Sequence, residues 1–93
     1  MTLKNYEQPM DYEVRISNKA EKQLAKLPTQ FYQKIIKDIL SLAKNPRPVG
    51  VKKLKGGQGY RIRVGDYRII YSIEDKILLV SVVAVGDRKE VYE

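Results

Sequence analysis

The sequence predicts an α+β fold in which a two-helix hairpin packs on a mostly antiparallel four- to five-stranded sheet. Two observations carry this prediction. The patterned segments follow the order strand, helix, helix and then consecutive strands. Two of those strands are joined by Gly65-Asp66, a dipeptide typical of a two-residue β-hairpin turn. The 93 residues, 43% of them hydrophobic, suffice for one core. We expect a flexible lead-in over 1–11 and a single domain over 12–93.

The first half of the chain predicts one strand and two helices. Residues 12–16 alternate as a half-buried strand does. Asn18 followed by Glu21 predicts a capping box for the first helix, and Pro28 ends that helix. The second helix carries an apolar stripe and stops at Asn45-Pro46. The stripe comprises Phe31, Ile35, Ile39, Leu42 and Ala43, widened by Ile36 and Leu40.

The second half predicts a loop and then consecutive strands. Residues 47–59 are rich in Gly, Pro and Lys, which is typical of a loop. The hairpin 60–73 comes next, and residues 74–76 form the following turn. Residues 77–85 are apolar on both faces, as expected of a central strand, and Gly86 should break that strand.

Alternation within the hairpin separates apolar from charged side chains. If the turn has two residues, Val64 faces Tyr67 and Arg63 faces Arg68 across the strand pair. Arg61, Arg63 and Arg68 then share the face opposite the apolar side chains. Like charges placed opposite one another cost stability, whereas a bound phosphate would bridge two planar guanidinium groups. The alternative is that the long arginine stems splay apart and pair with acids elsewhere.

The positive charge of the chain is concentrated in one segment. The net charge is +7, and residues 44–68 contain eight basic side chains against Asp66. The eight are Lys44, Arg47, Lys52, Lys53, Lys55, Arg61, Arg63 and Arg68. A localised basic patch predicts a nucleic-acid partner. The alternative is a basic surface kept for solubility or for an acidic protein partner.

Composition excludes several classes of site. The chain has no cysteine and no histidine, so thiolate zinc sites, cysteine nucleophiles and the commonest general base are excluded. No apolar run approaches the roughly 20 residues of a membrane helix, and the N-terminal residues lack a secretory pattern. We expect a cytoplasmic protein that binds no metal, no cofactor and no membrane.

Three motifs resemble the RelE branch of the RelE/ParE toxin superfamily over about residues 12–92. They are the lead-in KLKG, the hairpin YRIRVGDYRIIY and the ending VGDRKEVY. The resemblance implies the toxin of a type II toxin–antitoxin system, an endoribonuclease that cleaves mRNA in the decoding site of the ribosome. It also implies a RelB-like antitoxin as partner, ribosomal RNA as a binding surface, and operator DNA as a target of the toxin–antitoxin complex.

The same resemblance implies roles for individual residues. Arg61 and Arg63 match two functional lysines of RelE toxins. Arg68, Arg88 and Tyr92 match an arginine of the facing strand, an arginine after the last strand and a C-terminal tyrosine. Asp87 stands where many relatives have histidine, which makes it a further catalytic candidate. The candidate RNA-binding residues are Lys52, Lys53, Lys55 and Arg47.

The RNA cleavage that the resemblance implies needs a side chain that accepts a proton. Arginine cannot accept it, because the pKa of its guanidinium group exceeds about 12. Asp87, Glu90 and Tyr92 are the titratable candidates near the site. Two structural alternatives stay open: Tyr92 stacks on a base, and Asp87 caps a turn or pairs with Arg68 or Arg88. Two other functions also stay open. One is a ParE-like toxin that binds DNA gyrase without catalysis, and the other is a basic nucleic-acid-binding regulator.

Overall fold

A computed structural model describes residues 11–57 and 59–87, in which two helices pack on one face of a five-stranded sheet. In chain order the elements are β1 (Glu13–Ile16), α1 (Asn18–Ala25), α2 (Thr29–Ser41), β2 (Lys52–Lys53), β3 (Tyr60–Val64), β4 (Tyr67–Glu74) and β5 (Leu79–Asp87). Short 3-10 turns span Lys55–Gly57 and Asp75–Ile77. The sheet order is β1-β5-β4-β3-β2; β1 runs parallel to β5 and the other neighbours are antiparallel. The predicted α+β architecture is confirmed, with β2 as its fifth strand.

The β3–β4 hairpin has the register that the sequence predicts. Val64 lies opposite Tyr67 and Arg63 lies opposite Arg68, so the connection consists of Gly65 and Asp66. Gly65 has a φ of 62°, a left-handed conformation that a glycine adopts without steric cost.

The last strand is shifted from its predicted bounds of 77–85. Leu78 adopts a left-handed φ of 51° at the end of the 3-10 turn, so β5 begins at Leu79. Gly86 does not break the strand, because it continues the ladder opposite Arg68. Tyr71 pairs with Val82 and Ile70 with Ala84, which leaves Val83 as the extra residue of a β-bulge. β5 lies between β1 and β4, as predicted for a central strand.

Each helix differs from the prediction in one detail, α1 in its cap and α2 in its apolar stripe. The cap of α1 is Ser17, whose Oγ accepts a hydrogen bond from the Ala20 N–H at 3.1 Å, so the predicted Asn18–Glu21 capping box is wrong. In α2, Ile35 and Ile39 are fully buried, whereas Leu40 is 59% exposed and does not widen the core stripe. No helix in the described part of the chain is long and apolar enough to span a membrane.

Beyond the end of β1, backbone groups at the edge of β5 form hydrogen bonds with side chains from the start of the helical layer. β1 pairs with β5 only as far as Ile16 opposite Val82. Past that point the Ser17 hydroxyl donates to the Val83 carbonyl at 3.2 Å. Gln23 of α1 accepts a hydrogen bond from the Val85 N–H through Oε1 at 2.7 Å. Backbone groups that a longer β1 would have paired are therefore bonded to side chains instead.

The core lies between the helices and the apolar face of the sheet. Its fully buried members include Ile35 and Ile39 from α2, Ile69 and Tyr71 from β4, and Val82 from β5. The Tyr71 hydroxyl donates a hydrogen bond to the Pro46 carbonyl at 2.7 Å, which attaches the segment after α2 to the sheet. Burial raises the pKa of Tyr71 to about 12.

Replacing Tyr71 with phenylalanine should lower the free energy of unfolding by about 0.5–1.5 kcal/mol at pH 7, because one buried hydrogen bond is lost. The difference between wild type and Tyr71→Phe should then shrink as the pH rises from about 10 to about 12. Over that interval the unfolded tyrosine ionises while the folded one keeps its proton, which favours unfolding of the wild type only.

Urea unfolding at pH 7 and at steps between about pH 9 and 12 measures both effects. Tyr32→Phe, at an exposed position of α2, is the matched control and should follow the wild type at every pH. A Tyr71→Phe variant with the same alkaline stability loss as the wild type would contradict this account.

Candidate anion site on the arginine-bearing face of the sheet

The two faces of the sheet differ sharply in chemistry. The helix face carries the core and is covered by α1 and α2. The opposite face, called the arginine face, carries Arg61 and Arg63 of β3 and Arg68 of β4. Period-two alternation in paired strands produces this separation, because directly opposed residues point to the same side.

Residues of the arginine face fall into two adjacent rows across the strands. Arg63 of β3, Arg68 of β4 and Gly86 of β5 form the turn row, next to the Gly65-Asp66 turn. Successive pairings place Lys52, Arg61, Ile70 and Ala84 in the second row. Neighbouring members of a row stand about 5 Å apart, which is the spacing of paired strands.

Arg63 and Arg68 form an accessible pair of cations at the hairpin turn. Arg63 is exposed and Arg68 is half-buried. A shallow depression of about 130 Å³ is lined by Arg63, Gly65, Asp66, Tyr67 and Arg68. This is well below the roughly 300–1,000 Å³ of sites that enclose a small molecule, so it suits a phosphate group of a longer ligand. Gly86 completes the row without a side chain that would block Arg68 from β5.

Arg61 differs from the other two arginines because it is buried, with 3% of its surface exposed. The sequence placed it in one patch with Arg63 and Arg68. Its row neighbour Ile70 is 8% exposed and packs with Ala84 and Leu54 in a small apolar cluster, separate from the main core. The middle of the arginine face is therefore covered, and the solvent-facing part of the predicted patch reduces to Arg63 and Arg68.

The lysines of the lead-in lie beside this covered part. Lys52 and Lys53 form the edge strand β2, Lys55 begins the following 3-10 turn, and all three side chains are exposed. Lys52 pairs with Arg61 and so belongs to the arginine face, whereas Lys53 pairs with Tyr60. The residue that sequence reasoning missed is Leu54, because its segment has the composition of a loop. Its signal is a lone apolar side chain within the run KKLK.

Arg47 is held by contacts at the other end of the hairpin from the turn. It donates to both carboxylate oxygens of Asp75, at 2.9 and 3.2 Å, and lies 5.3 Å from the centroid of the Tyr60 ring. Tyr12 also donates to Asp75, at 2.5 Å. Hydrogen bonds from Arg47 and then from Tyr12 lower the pKa of Asp75. The predicted RNA-binding role of Arg47 stays a prediction, but these contacts join the segment after α2 to the β4–β5 turn.

Asp87 lies opposite Tyr67 in the ladder, one residue beyond Gly86. Tyr67 packs against the core and its ring centroid lies 5.3 Å from that of Phe31 of α2. Alternation thus assigns Asp87 to the helix face, away from Arg63 and Arg68. Its catalytic role remains a prediction. Arg88, Glu90 and Tyr92 lie outside the described residues, as do residues 1–10 of the predicted lead-in.

Over residues 11–57 and 59–87, no group of three or more carboxylates lies close enough together to hold a metal ion. What the described residues offer chemically is positive charge in a fixed geometry. Two guanidinium groups on adjacent strands suit the oxygens of a phosphate or of a phosphorane.

Comparisons with known proteins match most of the chain. Residues 14–92 match the profile of a family described as the ParE toxin of the type II toxin–antitoxin system parDE. A protein of Escherichia coli described as RelE-like toxin is 31% identical over 88 residues, which cover 89% of this chain and 92% of that protein.

Three solved structures share the fold. One chain of the RelE–RelB complex of Pyrococcus horikoshii is 32% identical with a TM-score of 0.76, covering 88% of this chain and 100% of that one. One chain of a RelBE toxin–antitoxin complex of Mycobacterium tuberculosis is 27% identical with a TM-score of 0.75, covering 84% of this chain and 99% of that one. The isolated RelE toxin of Escherichia coli is 26% identical with a TM-score of 0.71, covering 89% of this chain and 88% of that one.

Inorganic phosphate should raise the melting temperature of the wild type more than chloride does at equal ionic strength, because it binds the folded arginine pair. Arg63→Ala and Arg68→Ala should each lose this difference. Arg68→Ala should lower the free energy of unfolding by less than about 0.5 kcal/mol. It should raise that free energy if the loss of the like-charge pair is the larger effect.

Thermal unfolding in matched phosphate and chloride series measures the effect. Arg15→Ala is the control, because Arg15 lies opposite Ser81 on the same face near the other edge of the sheet. Equal phosphate stabilisation in the wild type and in all three variants would show that Arg63 and Arg68 form no specific anion site.

Proposed function

The chain belongs to the RelE/ParE superfamily and is a RelE-like toxin of a type II toxin–antitoxin system, and on that premise we propose that it is a ribosome-dependent endoribonuclease. Its substrate is mRNA in the decoding site, and cleavage inhibits translation in the cytoplasm. The observation that carries the proposal is the pair of exposed Arg63 and half-buried Arg68, which lines a phosphate-sized depression at the hairpin turn.

In the proposed reaction the 2′-oxygen of a ribose attacks the adjacent phosphorus, and the bond from phosphorus to the 5′-oxygen breaks. The products are a 2′,3′-cyclic phosphate and a free 5′-hydroxyl. The 2′-hydroxyl gives its proton to a base, and the leaving oxygen receives a proton from an acid. Arg63 and Arg68 stabilise the negative charge on the phosphorane, which is the part of this reaction that fixed cations serve best. The chemistry requires no metal.

The other candidate residues divide by accessibility. Lys52, Lys53 and Lys55 are exposed and suit the phosphates of ribosomal RNA. Arg61, although it matches a functional lysine of RelE toxins, is buried, so we assign it to the supporting positive potential and not to substrate contact. Arg88 and Tyr92 keep the roles that the family resemblance implies.

The proposed partner outside the ribosome is a RelB-like antitoxin. Similar chains from Pyrococcus horikoshii and Mycobacterium tuberculosis come from toxin–antitoxin complexes. A basic arginine face suits an acidic antitoxin segment, whose binding would withhold Arg63 and Arg68 from RNA. The complex of the two proteins is the species that we propose binds operator DNA.

A second candidate function is non-enzymatic inhibition of DNA gyrase. The observation that favours it is the match over residues 14–92 to a profile described as ParE toxin. The arginine pair discriminates between the two functions, because it is central to phosphate chemistry and has no necessary place in a protein contact. A basic regulator that binds nucleic acid is the third possibility, and it would leave the host unharmed.

Expression of the wild type without its antitoxin should arrest translation within minutes, with mRNA cut at ribosome-bound codons and carrying 5′-hydroxyl ends. Arg63→Ala and Arg68→Ala should each slow cleavage by about 10²–10³-fold, the cost of removing one preorganised charge stabiliser. Mapping of mRNA 5′ ends after induction measures this, with Arg15→Ala as the active control. Replication arrest with intact mRNA would establish the gyrase function instead.

Tyr92→Phe should reduce single-turnover cleavage on programmed ribosomes by about 10²-fold or more, if the phenol transfers a proton. Asp87→Asn should stay near the wild-type rate, because the register assigns Asp87 to the helix face. Rates measured across pH separate the two residues. A large loss in Asp87→Asn together with a normal Tyr92→Phe rate would assign the proton transfer to Asp87 and contradict its assignment to the helix face.

A further inference from the structure

We propose that Leu54 is a positioning residue that anchors the lysine-bearing segment 52–57 to the arginine face and so preorganises Lys52 and Lys55 for the phosphates of structured RNA. This inference rests on the proposed function for the identity of the RNA. Its structural part concerns a side chain that carries no charge and makes no contact with substrate.

The first observation is that Leu54 belongs to an apolar cluster of its own. It packs against Ile70 of β4 and Ala84 of β5, which are 8% and 9% exposed. Leu54 follows β2, at the edge of the sheet, whereas its partners lie two and three strands further in. To reach them, its segment must fold back over the arginine face, across β3. Arg61 lies between Lys52 and Ile70 in the same row, so the segment that carries Leu54 passes over Arg61 and buries it.

The second observation is that the backbone closes around this side chain. The Leu54 N–H donates to the Gly59 carbonyl at 2.8 Å, and the Gly57 N–H donates to the Leu54 carbonyl at 3.2 Å. A Cβ added to Gly59 would lie 2.7 Å from the Tyr71 carbonyl oxygen and 3.9 Å from Leu54 Cδ1. Gly59 immediately precedes β3, which pairs with β4, and only glycine permits this close approach of the chain to the Tyr71 carbonyl. The Leu54 side chain packs beside the same point.

The third observation is electrostatic. Lys52, Lys53 and Lys55 are exposed cations on either side of Leu54, and Lys52 pairs directly with Arg61. Mutual repulsion favours release of such a segment from the sheet. The apolar contact of Leu54 opposes that release. Lysine side chains on a fixed backbone lose less entropy on binding than those on a mobile one, so the anchor improves affinity without touching RNA.

The main test is ribosome binding, which requires no chemistry. Co-sedimentation with ribosomes should show that Leu54→Ala weakens affinity by about 10-fold, the equivalent of about 1.4 kcal/mol from two lysines that must be ordered on binding. The slope of log affinity against log salt should fall by about one for each lysine that no longer binds a phosphate. Leu54→Met, which keeps the side-chain volume, should stay within about 3-fold of wild type.

A second measurement shows the anchor directly. Amide hydrogen exchange at Gly57 should accelerate in Leu54→Ala but not in Leu54→Met, while the Ile69 and Val82 amides of the core keep their protection. Leu40→Ala is the matched control, since it removes the same atoms from a 59% exposed position on α2 and should leave binding and exchange at Gly57 unchanged.

The results of these experiments distinguish the Leu54 anchor from the proposed function. Wild-type affinity and salt slope in Leu54→Ala would overturn the anchor and leave the proposed function standing. Loss of protection in the core amides together with Gly57 would also overturn it, because Leu54 would then be a general stability residue. Absence of ribosome binding by the wild type would overturn the proposed function and, with it, the RNA part of this inference.

Discussion

A two-residue connection at Gly65 and Asp66 sets the register of β3 against β4, and the chemistry of both faces of the sheet depends on that register. With Val64 opposite Tyr67, the apolar side chains of the turn end of the hairpin point toward the helices and the arginines point away from them. A slip of one residue would exchange the faces, burying guanidinium groups in the core and exposing isoleucines. The core and the candidate anion site are therefore specified by one turn.

The energetic balance explains why the hairpin tolerates Arg63 opposite Arg68. A directly opposed like-charge pair costs at most about 1 kcal/mol. On the other side of the same two strands, Ile62, Val64 and Ile69 are buried, and each such side chain contributes about 1.5–3 kcal/mol. Core burial thus outweighs the repulsion several-fold. The protein can maintain a site of concentrated positive charge because the opposite face of the same strands supplies the stability.

Local periodicity and turn residues were enough to predict the hairpin register, the two helices and the central position of β5. Contacts between distant segments could not be predicted in this way. The burial of Arg61 depends on Leu54 reaching Ile70 and Ala84, which are far away in sequence. Arg47 likewise finds its partner Asp75 at a separation of 28 residues. The wrong cap at Asn18 has a local cause: Ser17 and Asn18 are both good caps, and only the end of β1 decides between them.

The two edges of the sheet bear on whether free toxin molecules can associate with one another. An unpaired strand edge invites a second copy to extend the sheet. At one edge β2 has two residues, both lysine, so two copies would bring four ammonium groups together. Toward the other edge, beyond β1, Ser17 and Gln23 already hold the Val83 carbonyl and the Val85 N–H, so an incoming strand would have to displace both bonds. The lysines of β2 and the side chains bonded to β5 beyond β1 thus disfavour pairing of a second copy at these two places.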